Sequence, residues 1–153
     1  MNLYQYAPNP TGWIDPLGLS TSSDAKTLRD NMINAGKIEP NYSNNAHHIV
    51  QSNATDPVSV ATRNHLESNG ININDPSNGV FLPNSSTTAS NSGTNATPHS
   101  KVHTNSGREH ISERLLDKDN KEDIESELNK IEQEMLSGDC PVLKEGKTWN
   151  EVK

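Results

Sequence analysis

Apolar residues along the chain fall into short, well-separated sets, and their spacing predicts several helices and two strands. Ile124, Leu128, Ile131 and Met135 recur at intervals of 4, 3 and 4, which places them on one side of a helix. That helix is expected from Asn120 to Ser137, closed by Gly138, with Lys121 and Glu125 paired on its flank. Near the other end, Ser23 or Asp24 can cap a short helix reaching about Ala35, with Leu28, Met32 and Ala35 on one face and Gly36 as the stop. A further helix is marked by Asp56 as cap, Pro57 at its first position and Asn69-Gly70 at its end, and another is expected from about Ser106 to Leu116. The segments NNAHHIV and NGVFLP have the length and apolar content of strands, whereas residues 84–97, nearly all Asn, Ser, Thr, Gly and Ala, read as a long mobile loop. No internal repeat is evident.

Composition limits what these elements can bury. At 153 residues the chain suits one domain, yet Leu, Ile, Val and Phe together number only 28, against 20 Asn, 17 Ser and 11 Thr. The core must be thin, and something besides burial is expected to help hold it. The net charge of −7 is uneven: residues 1–110 carry 6 basic and 8 acidic side chains, residues 111–153 carry 7 and 12. The body is therefore close to neutral, which matters for any anionic partner. No apolar run approaches the roughly 18 residues needed to cross a bilayer, so membrane insertion is not expected. The first ten residues, MNLYQYAPNP, lack the basic and apolar regions of a secretion signal. Cys140 is the single cysteine, so neither an intramolecular disulfide nor a cysteine-based zinc site can form. A metal site would have to use His, Asp or Glu.

Residues 1–19 differ from the rest, with three of the nine prolines and two of the three tyrosines in a segment without helical period. The sequence YQYAPNPTGWIDPLGL resembles the end of the Rhs/YD-repeat shell of bacterial polymorphic toxins, through Tyr4, Tyr6, Asn9, Pro10 and the junction motif Asp15, Pro16, Gly18 and Leu19. The resemblance implies a parent Rhs shell, secretion machinery that delivers it, and self-cleavage near the junction by aspartates of the shell. Asp15 is given no activity of its own.

Four of the six histidines form two sets, adjacent His47-His48 on a presumed strand and His99-x3-His103 about 50 residues later. An i, i+4 pair on a helical turn opened by Pro98 would share one face and could chelate a metal, while neighbours on a strand point to opposite faces and should differ in task. Ala46-His47-His48-Ile49-Val50, the stretch from Gly70 through Pro83 and His99 through Thr104 together resemble the HNH or ββα-metal endonucleases, most closely the AHH group of toxin nucleases. The pattern covers about residues 46–116. It departs from the family where Gly107 and Arg108 stand in place of aromatic residues.

The resemblance implies an α+β fold: a small ββα-metal core over 46–116 with an inserted helix, preceded by a linker and short helix over 20–45 and followed by an acidic helix and tail over 117–153. It implies that His47, His99 and His103 bind one divalent ion, with Zn, Ni, Co or Mn suiting three imidazoles better than Mg. His48 would be the general base and Asn78 would orient its ring through a hydrogen bond. Arg63, Lys101 and Arg108, the basic residues nearest the motif, are candidates for phosphate contacts; His65 and His110 are expected at the surface. The partners implied are a DNA substrate and a cognate immunity protein, with action in the cytoplasm of the target cell. Other readings of the same residues are a metal-independent ribonuclease toxin, a non-catalytic zinc-stabilised interaction module, and a hairpin corner at Asn78-Gly79 without catalytic meaning.

Overall fold

Two strands, Asn44–His48 (β1) and Gly79–Pro83 (β2), pair antiparallel with His47 opposite Val80 and His48 opposite Gly79. The structure is a computed structural model that describes residues 21–141, 143 and 146–153, without the side chains of residues 21–23. Asp15, Pro16, Gly18 and Leu19 of the junction motif lie outside the described residues. Among the described residues no helix is long and apolar enough to cross a membrane.

Alternation along β2 divides the core. Val80 and Leu82 face a large cluster, whereas Phe81 joins Ala46, Leu28 and Met32 on the opposite side. Leu28 and Met32 come from α1 (Thr21–Asn34), which lies over the strand pair. Gly79 permits that approach: a Cβ there would stand 2.5 Å from Met32 Sδ and 2.8 Å from Leu28 Cδ1. Because α1 begins at Thr21, Asp24 sits in its first turn and not at its cap.

The strands are separated in sequence by α2 (Pro57–Ser68), capped as expected by Asp56, which accepts a hydrogen bond from Ser59 N. Leu66 joins the large cluster. Beyond β2, residues 84–97 depart from the expected loop: α3 (Ser86–Ser92) starts where the Ser85 hydroxyl accepts from Thr88 N and ends at Gly93 with φ 75°. Serine capping and a left-handed glycine are enough to fix a short polar helix. Ala96 and Thr97 are then buried, and Thr97 Oγ1 donates to Cys140 O at 2.8 Å.

Two longer helices complete the body, α4 (Asn105–Leu116) and α5 (Lys121–Ser137), followed by a short α6 (Trp149–Val152). The predicted stripe on α5 is wholly buried, since Ile124, Leu128, Ile131 and Met135 all belong to the large cluster. Its acidic side is tied to the body: Arg114 on α4 pairs with Glu127 at 2.7 Å and Glu134 at 2.6 Å, and Lys37 pairs with Glu132 at 2.9 Å. The expected Lys121–Glu125 pair is not among the ion pairs of the described residues. Residues 121–137 thus share one core with the strands. His65 also serves the packing, donating from Nε2 to Lys118 O at 2.7 Å. The result is the expected α+β fold, a two-stranded sheet with an inserted helix and flanking helices.

Candidate metal centre

Strand geometry separates the two adjacent histidines. His47 and His48 are 3% and 7% exposed, both held by β1, and opposite pleat faces send them to different neighbours. His47 meets His99 and His103; His48 lies on the side of α1.

His99 opens a 3-10 turn spanning His99–Lys101, and His103 follows it just before Thr104 caps α4. The expected α-helical turn is therefore absent, since Thr104 must leave helical geometry to accept from Gly107 N. The two rings still converge. Val102 between them is buried in the large cluster, and Thr97 N donates to Met135 O at 2.9 Å, fixing the segment at both sides of the turn.

Candidate ligand atoms of His47, His99 and His103 lie within 4.8 Å of one another. The Nε2 atoms of His99 and His103 are 3.2 Å apart. Nitrogens bound at 2.0–2.1 Å to a tetrahedral ion are separated by about 3.3 Å, so this pair already stands at ligand spacing. The three rings are close to mutually perpendicular, at 71°, 79° and 87°. Burial pushes His47 well below the ordinary histidine range, reinforced by His99, His103 and His48. Burial and then His103 bring His99 down to about 4, and burial and then Arg108 lower His103. All three imidazoles are consequently neutral at pH 7, the form that can donate to a metal. The donor set and spacing fit one divalent ion; His110 does not join the cluster.

His48 is oriented by a residue the sequence did not single out. Its Nε2 donates to Asn74 Oδ1 at 2.7 Å, which leaves the lone pair on Nδ1. Burial lowers its pKa, while the Asn74 hydrogen bond and Asp24 act in the opposite direction. Asn74 is itself fixed by its backbone, where Asn31 Nδ2 donates to its carbonyl and Asn72 Oδ1 accepts from its N–H, both at 2.8 Å. Clustered asparagines in ININD were the only available signal.

Asn78 has another task than the one expected. Fully buried at the end of the 3-10 turn Pro76–Asn78, its Oδ1 accepts from Val50 N at 2.8 Å while its Nδ2 donates to Val50 O and Ile73 O. Its carbonyl accepts from Ile49 N. These bonds hold the chain leaving β1 against the entry to β2, and the ring of His48 is bonded to Asn74 instead. Asn78-Gly79 is also not a hairpin corner, since the long segment containing α2 joins the strands.

His47, His48, His99 and His103 border one open cleft of about 590 Å³, whose other polar lining comes from Asn45, Gln51, Ser52 and Asn53. No carboxylate among the described residues lines it, although the charge of Asp24 is felt at His48. The three basic candidates lie outside this lining. Arg63 Nη1 donates to Gln51 O at 2.9 Å, supporting the cleft wall, and Arg108 pairs with Asp56 at 3.4 Å, next to the start of α2. Lys101 is exposed beside a second groove on the far side of His103.

Residues 28–136 match a nuclease family of the HNH/ENDO VII superfamily with a conserved AHH motif, the three letters corresponding to Ala46, His47 and His48. Comparison with curated proteins and with solved structures yields no match.

Proposed function

Because the chain belongs to the AHH nuclease family of the HNH/ENDO VII superfamily, whose activity is metal-dependent, we propose that it is the DNA-cutting tip of a polymorphic toxin delivered into competing bacteria. The observation that carries the catalytic part is the meeting of His47, His99 and His103 beside a separately oriented His48. The toxin part is supported by the sequence YQYAPNPTGWIDPLGL with its junction residues Asp15, Pro16, Gly18 and Leu19, and it brings with it a parent Rhs shell, its secretion machinery and a cognate immunity protein.

His47, His99 and His103 would hold the ion through neutral imidazoles. When bound, a divalent ion at this position polarises the scissile phosphate and stabilises charge on the leaving 3′ oxygen. His48, deprotonated at neutral pH by its burial, takes a proton from the attacking water at Nδ1, while Asn74 keeps Nε2 protonated and the ring in place. Asn45, Gln51 and Ser52 supply amide and hydroxyl donors along the cleft for phosphate oxygens. The displacement leaves a 5′-phosphate and a 3′-hydroxyl.

Incubating the purified protein with plasmid, linear DNA and RNA, with and without EDTA, tests the reading. Expected is DNA cleavage that EDTA stops and added Zn, Ni or Mn restores. Cleavage of RNA alone, indifferent to chelator, would replace it with a metal-independent ribonuclease.

A further inference from the structure

A second groove of about 490 Å³ begins at His103, and its lining combines Trp149, Leu143 and Val152 with Lys101 and Ser100. Its size lies within the roughly 300–1,000 Å³ of small-molecule sites. Among the described residues, His103 alone lines both this groove and the cleft that holds the other three histidines. A strand with its scissile phosphate at His47, His99 and His103 would therefore place an adjoining nucleotide here.

The chemistry suits a nucleotide whose base is unpaired. An indole and two aliphatic side chains offer a surface for one base, and Lys101 with the Ser100 hydroxyl suits a phosphate. No carboxylate lines the groove among the described residues. The short helix that carries Trp149 is tied to the body by its neighbours: Asn150 Nδ2 donates to Ser137 O and to Asp139 Oδ1, each at 2.7 Å, and Lys153 Nζ donates to Asn95 Oδ1 at 2.7 Å. The carboxylate of Glu151 is turned back onto Thr148 N at 2.8 Å.

Resting on the nuclease reading, we propose that this groove is a nucleotide subsite in which Trp149 stacks on the base next to the scissile phosphate and Lys101 contacts the flanking phosphate, so that the substrate is single-stranded or locally unpaired DNA. A single-stranded hexanucleotide should be cut faster than its duplex. Trp149→Ala should raise KM for the hexanucleotide about 5- to 100-fold, the range of one lost base stack, with kcat changed by at most a few-fold. Trp149→Phe should recover most of the loss, and Lys101→Gln should raise KM in the same direction.

A measurement independent of folding in the alanine variant uses Trp13→Phe combined with His48→Ala, in which Trp149 is the remaining indole. Titrating it with the uncut hexanucleotide in the presence of Zn should quench its fluorescence. An unchanged KM in Trp149→Ala, a loss confined to kcat, equal or faster cutting of duplex, or absent quenching would each overturn the subsite. Failure of the wild-type protein to cut any DNA would instead overturn the nuclease reading, and the subsite with it.

Discussion

His48 Nε2 donates to Asn74 Oδ1 at 2.7 Å, and this bond decides which ring nitrogen can act as a base. Without Asn74 the ring could adopt either tautomer and rotate. Asn74→Ala should lower kcat by about 10- to 100-fold, the scale of losing an outer partner to a functional histidine, in steady-state cleavage assays. The fold should persist, since Asn74 is only partly buried.

The pH profile should respond to Asp24. Burial lowers His48, while Asn74 and the negative charge of Asp24 pull it back upward, so activity should fall as pH drops through a value below 6.5. Asp24→Asn removes a charge that favours protonated His48. The acid limb of kcat should therefore move to lower pH, and a shift upward would show that Asp24 acts otherwise.

Asn78 and Asn74 should separate cleanly by experiment. Asn78→Ala strips partners from Val50 N, Val50 O and Ile73 O, all close to a fully buried side chain. Urea unfolding should show a loss of about 1–3 kcal/mol for buried groups left unsatisfied. The acid limb of the pH–rate profile should stay in place, because the ring of His48 keeps Asn74.

What the sequence revealed depended on how local the signal was. Asp56 with Pro57, and the α5 stripe ending at Gly138, are local patterns and gave helices at the expected positions. The same kind of signal existed in Ser85 and Gly93, but the uniformly polar composition of 84–97 concealed it. His99 and His103 do converge, although by a 3-10 turn and an anchored Val102 in place of a helical face. Asn74 was illegible because its partner is 26 positions away and its placement depends on bonds to Asn31 and Asn72. Asn78 was singled out through the resemblance, while its actual side-chain partners are Val50, on the chain leaving β1, and Ile73.

Metal should stabilise the fold and the effect should depend on pH. With folded-state pKa values depressed, the unfolded chain binds protons that the three ligands refuse, for His99 between about pH 4 and 6.5. Stability of the metal-free protein should thus decline as pH falls through that window. At pH 7, free ion at about 100 times its Kd adds about 2.7 kcal/mol, or about 5–10 °C in Tm. Calorimetry with Zn and with EDTA should show this shift, and His99→Ala or His103→Ala should abolish most of it.

The division of labour between His47, His99 and His103 on one side and His48 on the other is tested by cleavage and metal content measured together on His48→Ala. The variant should retain one divalent ion per chain and the wild-type fold, yet cut DNA about 10²- to 10⁴-fold more slowly, the cost of a lost general base. Cleavage at the wild-type rate, or loss of the ion along with activity, would contradict it.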